Sequence, residues 1–254
     1  MSKNVLITGA TSGIGMATAR LLAAQGFRLI LTGRRAERLS AMRMELEQKY
    51  PINIHILPFD IRNSDAVKAA VNSIPLEFKP VDILINNAGL AVGLNPVQNG
   101  DLDDWERMID TNIKGLIYMT RQISPMMIER ESGHIVNISS IAGKETYPMG
   151  NVYCATKHAV QSLTKAMRLE MLPYGIKVSS IAPGAVNTEF STVRFKGDSQ
   201  RANEVYKGFT PLMAEDIAET ILFIITRPAH VNIDDILIMP TAQAYSRDFN
   251  RTPQ

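Results

Sequence analysis

A short apolar run, a glycine-rich turn and a helical pattern follow one another at the start of the chain. Residues 4–8 read Asn-Val-Leu-Ile-Thr, residues 9–15 read Gly-Ala-Thr-Ser-Gly-Ile-Gly, and residues 16–25 carry apolar side chains at helical spacing. Such a unit binds phosphate, because glycines let the backbone approach it and amides at the helix N-terminus donate to it. The alternative is a turn that only packs helix on strand. The context favours a dinucleotide site formed by Gly9, Thr11, Ser12, Gly13, Ile14 and Gly15.

Strand and helix patterns alternate along the rest of the chain. Further strands are predicted at 28–32, 53–59, 81–85, 134–138, 176–181 and 233–239. The main helices between them are predicted at 36–49, 101–130, 153–172 and 215–226, and the residues after 239 are predicted to be a tail. This alternation implies a doubly wound parallel sheet, an α/β fold with helices on both faces. No linker-like segment interrupts the 254 residues, so one domain spanning 1–254 is preferred over two small ones.

Composition excludes several classes of function. The net charge of +2 gives no reason to expect nucleic acid or an anionic membrane as a partner. No apolar run approaches the roughly 18 residues of a membrane span, and a strand beginning by residue 4 leaves no room for a signal peptide. The single Cys154 rules out an internal disulfide, and the four scattered histidines do not have metal-ligand spacing. We therefore expect a soluble cytoplasmic protein without a metal.

Two arginines stand where the second predicted strand ends. The sequence there is Gly33-Arg34-Arg35, and no acid occurs before Glu37. Folds that accept NAD place an acid near this point to bond the ribose 2′-hydroxyl, whereas a guanidinium suits the 2′-phosphate of NADP. Arg34 and Arg35 therefore favour NADP. The alternative is that both merely cap a solvated helix start.

Polar and small residues also follow the third, fourth and fifth strands, at the edge where open α/β sheets bind ligands. Asp60, followed by Ile61, suits a hydrogen bond from the adenine amino group, or else a helix or turn cap. Asn86-Asn87-Ala88-Gly89 permits backbone approach, and Ser139 and Ser140 reach the same edge. The polar, Arg- and Lys-rich stretch at about 187–210 is predicted to be a substrate lid; the alternative is a surface loop without function.

The pattern Tyr153-x-x-x-Lys157 places a phenol and an ammonium one turn apart on a helix face. A free phenol titrates near ~10, and a nearby ammonium favours the phenolate. Such a phenol exchanges protons with an alcohol or carbonyl oxygen. By itself the pair also occurs on many solvated helices. Asn112, polar in an apolar stretch, suits a structural role at a helix kink as well as a functional one.

Together these segments resemble the short-chain dehydrogenase/reductase family, in the family's order, from residue 4 to about 240. The resemblance rests on residues 8–15, residues 86–89, the set Asn112, Ser140, Tyr153 and Lys157, and Pro183-Gly184 through Thr188. It implies a Rossmann-like seven-stranded sheet of order 3-2-1-4-5-6-7. It also implies a homodimer or homotetramer with the Tyr153 helix at an interface.

The same resemblance implies roles for individual residues. Ser140 and Tyr153 would hold the substrate oxygen, Lys157 would contact the nicotinamide ribose and lower the pKa of Tyr153, and Asn112 would anchor a water that relays protons. Hydride chemistry belongs to the cofactor. The further cofactor contacts that it implies are Asn87, Ala88, Gly89, Tyr153, Lys157, Pro183, Gly184, Val186 and Thr188.

Three segments resemble more narrowly the NADP-dependent 3-hydroxy acid dehydrogenase branch: residues 193–198, 228–233 and 151–153. This implies interconversion of a small 3-hydroxy acid, of the serine, allo-threonine or 3-hydroxypropionate type, and its 3-oxo acid. A carboxylate substrate needs a cation, and Arg194 in the predicted lid offers a bidentate fork, so Ser140, Tyr153 and Arg194 are the predicted substrate contacts. The alternatives are a broad carbonyl or 3-oxoacyl reductase and a non-catalytic NADP-binding regulator. Such a regulator typically lacks the tyrosine or the lysine.

Overall fold

Seven parallel strands form the sheet that organises the computed structural model, which describes residues 2–252. The strands are β1 (Asn4–Ile7), β2 (Arg28–Gly33), β3 (Ile54–Pro58), β4 (Ile83–Asn86), β5 (His134–Ile138), β6 (Lys177–Pro183) and β7 (Asp235–Ile238). Neighbouring strands pair in parallel in the order β3-β2-β1-β4-β5-β6-β7. The predicted doubly wound sheet and its order are confirmed.

Helices cover both faces of this sheet. They are α1 (Gly13–Ala24), α2 (Ala36–Lys49), α3 (Ser64–Asn72), α4 (Leu102–Ile109), α5 (Leu116–Glu129), α6 (Asn151–Met171), α7 (Glu189–Arg194), α8 (Ser199–Glu204) and α9 (Ala214–Ile225). Apolar residues of α1, α2 and α9 pack on one face, and those of α3, α5 and α6 on the other. None of these helices, within residues 2–252, is both long enough and apolar enough to cross a bilayer.

The alternation of side chains along β1 shows why helices cover both faces of the sheet. Val5 and Ile7 belong to one apolar core and Leu6 to the other, and all three are fully buried. A strand that is apolar at every position has both faces buried, which is typical of parallel sheets. Each such side chain contributes about 1.5–3 kcal/mol through its burial. The two cores hold the sheet rigid, so that the loops at its carboxyl edge have a fixed base.

The helix predicted at 101–130 is divided by a wider turn. After α4, residues 110–115 form a π-helical turn, and α5 then begins at Leu116. Turns of this kind place one extra residue in the helix and occur frequently at functional sites. This turn contains Asn112, so the helix is interrupted at the polar residue that stands out in an apolar stretch of the sequence.

The two segments that follow β6 are more ordered than the sequence indicated. The predicted lid contains α7 and α8, and its ends are joined by the short parallel pair Val186–Asn187 with Leu212–Met213. The predicted tail instead contains an antiparallel hairpin of Gln243–Tyr245 with Asp248–Phe249. We call residues 243–249 the C-terminal hairpin.

Candidate active site

A cavity of about 860 Å³ opens at the carboxyl edge of the sheet. Its walls come from the turn after β1, the ends of β2 to β6, the lid and the C-terminal hairpin. Most of the predicted site residues line it, namely Gly9, Thr11, Ser12, Gly13, Ile14, Arg34, Arg35, Asp60, Ile61, Asn87, Ala88, Gly89, Ser140, Tyr153, Lys157, Pro183, Gly184, Val186, Thr188 and Arg194. Two predicted residues, Gly15 and Asn112, are not part of this lining.

The glycines of the first turn have distinct tasks. Gly9 has φ +68°, and a Cβ atom there would lie 2.9 Å from the Cα atom of Ala88, so only glycine fits. Gly13, with φ +50°, opens α1 beside Thr188. Gly15 packs against the Gly9 carbonyl and the Asn87 side chain. The packing interpretation therefore describes Gly15, whereas Gly9 and Gly13 face the cavity.

The end of β2 is a cationic corner. Arg35 donates to Thr11 Oγ1 at 2.8 Å and to Ser12 Oγ at 2.9 Å, and it pairs with Glu189 of α7 at 3.1 Å. Arg38, which the sequence did not single out, pairs with the same carboxylate at 2.9 Å. These arginines hold the pKa of Glu189 below its usual range. An anionic side chain, that of Glu189, thus already binds to this corner.

Asp60 is engaged with its neighbour Arg62. The carboxylate accepts hydrogen bonds from the Arg62 backbone and guanidinium, the shortest at 2.6 Å, and these bonds lower its pKa. Asp60 and Ile61 nevertheless line the cavity. The turn interpretation therefore describes the carboxylate in this structure, and a role toward adenine stays a prediction.

The end of β4 is fastened to the end of β1. Thr8 Oγ1 accepts from the amides of Asn87 and Ala88 at 3.0 and 2.9 Å, and Asn87 Nδ2 donates to the Thr8 carbonyl at 2.8 Å. These bonds hold the backbone of residues 87–89 beside the glycine turn. Both segments therefore form one continuous wall of the cavity.

Tyr153 lies in the interior of the site. Its side chain is buried, its ring centroid is 5.7 Å from that of Phe190 in α7, and the Arg194 guanidinium lies 5.0 Å from it. Burial raises the pKa of the phenol, with Tyr147 adding to the effect. The charge of Arg194 and a hydrogen bond with Ser140 act in the opposite direction. The phenol is therefore protonated at neutral pH.

Lys157 is also buried, and its Nζ donates to the Ile138 carbonyl at 2.9 Å. Burial lowers the pKa of this ammonium to about 8. The sequence led us to expect that Lys157 would lower the pKa of Tyr153, but the pKa of this phenol is raised, because desolvation of the phenolate outweighs the opposing charge of Arg194 and the hydrogen bond with Ser140. Burial thus disfavours the charged forms of both side chains, the Tyr153 phenolate and the Lys157 ammonium.

The serines after β5 hold α6 in place. Ser140 Oγ accepts from the Ala142 amide at 3.1 Å and reaches the Tyr153 phenol. Ser139 Oγ donates to the Lys157 carbonyl at 3.3 Å, which ties β5 to α6. Ser140, to which the family resemblance assigns the substrate oxygen, is thus the serine beside the phenol.

Asn112 acts on the loop after β4. Its Oδ1 accepts from the Leu90 amide, its Nδ2 donates to the Leu90 carbonyl, both at 2.8 Å, and Nδ2 also donates to Thr156 Oγ1 at 3.0 Å. A Cβ atom on Gly89 would lie 3.3 Å from Asn112 Oδ1 and 3.4 Å from Lys157 Nζ. The side-chain amide of Asn112 thus fixes the loop at Leu90, and both Asn112 and Lys157 lie next to Gly89.

Arg194 places its guanidinium over the phenol ring of Tyr153. Its Nη2 donates to the Tyr147 hydroxyl at 2.6 Å, and its Nε is buried without a partner among residues 2–252. The Gly93 amide donates to the Arg194 carbonyl at 3.0 Å, which fastens the end of α7 over the cavity. Arg194 therefore lies where a substrate anion beside Tyr153 would meet a positive charge.

Several lining residues escaped the sequence reasoning. Tyr206 ties the end of the lid to its beginning, because its hydroxyl donates to the Val186 carbonyl at 2.7 Å and contacts Ser191 Oγ at 2.7 Å. Arg38, which lies outside the lining, was missed as well, as were the lining residues Tyr147, Gln243 and Arg247. The signal available for the last two was the polar run 246–248 between Tyr245 and Phe249, which suits a hairpin turn. Over residues 2–252, no group of three potential ligands is placed to hold a metal.

The chain is similar to known proteins over most of its length. The sequence profile of the short chain dehydrogenase family matches residues 3–198. The NADP-dependent 3-hydroxy acid dehydrogenase of Salmonella typhi is 46% identical over 95% of this chain and 96% of its own. Sulfoacetaldehyde reductase 2 of Chromohalobacter salexigens is 47% identical over 97% of each. The closed form of a serine dehydrogenase complexed with NADP+ superposes with a TM-score of 0.91 at 45% identity, covering 98% of this chain and 99% of that one.

Proposed function

The chain belongs to the short-chain dehydrogenase family, and from that premise we propose that it interconverts a small 3-hydroxy acid and its 3-oxo acid with NADP as cofactor. The observation that carries the substrate class is Arg194. Its guanidinium lies beside Tyr153 and bonds Tyr147, in a cavity that the lid lines. A substrate whose oxygen meets the phenol would bring an acid group within reach of this cation.

The residues present fit NADP. Gly9 and Gly13 leave room for a pyrophosphate against the backbone, and Arg34 and Arg35 give the adjacent corner the charge and forked donors that a 2′-phosphate needs. The glutamate already seated on Arg35 supports an anion at that place. When bound, NADP accepts or supplies the hydride.

The protein's part is to orient the substrate and to move one proton. In the direction of reduction, the neutral Tyr153 donates its proton to the substrate oxygen, which Ser140 holds by a second hydrogen bond. The raised pKa of Tyr153 and the protonated form that it favours suit this direction. Lys157, with a pKa of about 8, lies one turn away as a proton source, and Asn112 keeps the loop at Gly89 in place.

A second candidate substrate class is a sulfonate. Sulfoacetaldehyde reductase 2 is as similar to this chain as the 3-hydroxy acid dehydrogenase. In 2-hydroxyethanesulfonate, as in 3-hydroxypropionate, a single methylene separates the carbinol carbon from the anionic head. Because the two alcohols place charge and hydroxyl alike, relative kcat/KM for this matched pair decides between them.

The test of the proposal is a kinetic comparison of acids with a neutral analogue. We expect NADPH formation from 3-hydroxypropionate, serine or allo-threonine, and much less from 3-hydroxypropionamide. Arg194→Ala should raise KM for the acid about 10- to 100-fold, because a charge-assisted hydrogen bond is lost, and should change KM for the amide little. Arg227→Ala, outside the cavity, is the control. Equal effects of Arg194→Ala on acid and amide, or no turnover of any acid, would contradict the proposal.

We also propose that residues 1–254 form one domain and that it assembles as a homodimer or homotetramer through α6. Leu169 near the end of α6 and Leu172 just after it leave 73% and 69% of their surface exposed, which supports an apolar contact there. Sedimentation equilibrium at micromolar concentration measures the mass. The mass of one chain would contradict the assembly.

A further inference from the structure

The C-terminal hairpin is a wall of the active-site cavity. Gln243 is buried, and its Oε1 accepts from the Ala185 amide at 2.9 Å, directly after β6. The Ser246 amide donates to Glu145 Oε2 at 2.8 Å, on the segment that precedes α6. The hairpin is therefore bonded to two elements that carry predicted cofactor and catalytic residues.

The hairpin is also fastened to the end of the lid. The rings of Phe249 and Phe209 lie 4.7 Å apart, and the Arg251 guanidinium is 5.0 and 5.1 Å from these two rings. Arg251 Nη2 donates to the Val205 carbonyl at 3.0 Å. Contacts on both sides hold the turn of the hairpin in a defined place over the cavity.

Arg247 stands at that turn. It is exposed and lines the cavity, and its guanidinium lies 4.7 Å from the centre of the Tyr147 ring. Among residues 2–252 no carboxylate lies within 4.0 Å of its charged nitrogens; Glu145, which bonds the backbone of the preceding residue, makes no ion pair with it. The charge of Arg247 is thus available to a ligand.

Arg194 and Arg247 share Tyr147. Both guanidiniums lie within 6 Å of its ring centre, at 5.8 and 4.7 Å; burial raises the pKa of the Tyr147 phenol, and both charges oppose that rise. Arg194 additionally lies over Tyr153, whereas no cation–ring contact joins Arg247 to Tyr153 within the described residues. The order from the phenol outward is therefore Tyr153, Arg194 with Tyr147, and then Arg247.

This order matches the shape of a small hydroxy acid. The reacting oxygen belongs at Tyr153, and the acid group belongs further out, where two guanidiniums and a tyrosine hydroxyl converge. The acids that line the cavity are paired with other cations: Asp60 with Arg62, Glu189 with Arg35 and Arg38, and Glu204 with Lys207. An anion at the outer end thus meets the charge of Arg247, which forms no ion pair with any carboxylate of residues 2–252.

We propose that Arg247 is a specificity-determining residue that binds the anionic head of the substrate together with Arg194. The inference rests on the proposed function and adds to it a second cation, delivered by the C-terminal hairpin. The ligand class is a small carboxylate or sulfonate in which one carbon atom separates the carbinol carbon from the anionic head. A neutral alcohol gains nothing from this residue.

The test compares Arg247→Gln with Arg227→Gln. Arg227 is half-buried and its guanidinium also lies over an aromatic ring, 4.4 Å from the centre of Phe223, but it is outside the cavity. For Arg247→Gln we expect KM for 3-hydroxypropionate to rise about tenfold, with kcat changed little. KM for 3-hydroxypropionamide and the Kd of NADPH should stay unchanged. Arg247→Lys should restore part of the lost affinity because it keeps the charge.

The outcomes separate the inference from the proposal beneath it. If the wild type prefers the acid and Arg247→Gln behaves like Arg227→Gln, the role of Arg247 is overturned while the proposed function stands. If the wild type does not distinguish acid from amide, both fail. A weakened Kd of NADPH with unchanged discrimination would assign Arg247 to the cofactor and would also overturn the inference.

Discussion

At the scale of the residue, burial decides the protonation of the two central groups. Tyr153 and Lys157 lie in the interior, and neither charged form is favoured by its surroundings. The phenol stays a proton donor, whereas the ammonium titrates near pH 8. Below pH 8 both groups therefore carry the proton, which is the form that reduction of a carbonyl requires.

The buried ammonium should leave a signature in stability. Folding lowers the pKa of Lys157 from 10.5 to about 8, so between these values the unfolded chain binds the proton and the folded chain releases it. The free energy of unfolding contributed by this group is consequently lowest below pH 8 and rises toward pH 10.5. Relative to Lys157→Met, the wild type should gain about 2 kcal/mol between pH 7 and pH 10.

Urea unfolding at the two pH values measures this difference. Lys165→Met, an exposed lysine of the same helix, is the control and should show no comparable change. A difference between wild type and Lys157→Met that does not vary with pH would mean that Lys157 is not desolvated as described. The variant should be inactive at both pH values.

At the scale of the element, the lid is tied to the cofactor corner. Glu189, the first residue of α7, pairs with Arg35 and Arg38, and α7 also carries Phe190 and Arg194 against Tyr153. The same short helix thus contacts both ends of the cavity. An anion arriving at Arg35 competes with Glu189 for the guanidinium.

Glu189→Gln should therefore improve binding of the phosphorylated cofactor. We expect KM for NADPH to fall a few-fold, since half-exposed ion pairs are weak, and KM for NADH to stay unchanged because it has no 2′-phosphate. Glu45→Gln, which breaks the exposed pair with Arg20, is the control. A rise in KM for NADPH would show that Glu189 positions the arginines instead of competing for them.

At the scale of the whole molecule, the sheet was predictable from the apolar runs and the glycine turns of the sequence. The apolar residues of those runs are the ones that strands β1 to β6 bury. The site was predicted where it depends on short motifs, as at residues 9–15 and 153–157. It was missed where distant segments meet: Glu145 with the C-terminal hairpin, Glu189 with Arg35, and Phe209 with Phe249. The pKa of Tyr153 was predicted in the wrong direction because helix spacing shows the nearby charge and not the burial.

The most direct test of the account is turnover by Tyr153→Phe. The initial rate of NADPH formation from NADP+ and 3-hydroxypropionate is compared with that of the wild type, and the Kd of NADPH serves as the control for an intact site. Removal of the proton-transfer group should lower kcat by about 10²- to 10⁴-fold and leave the Kd unchanged. Undiminished turnover in the phenylalanine variant would contradict the account.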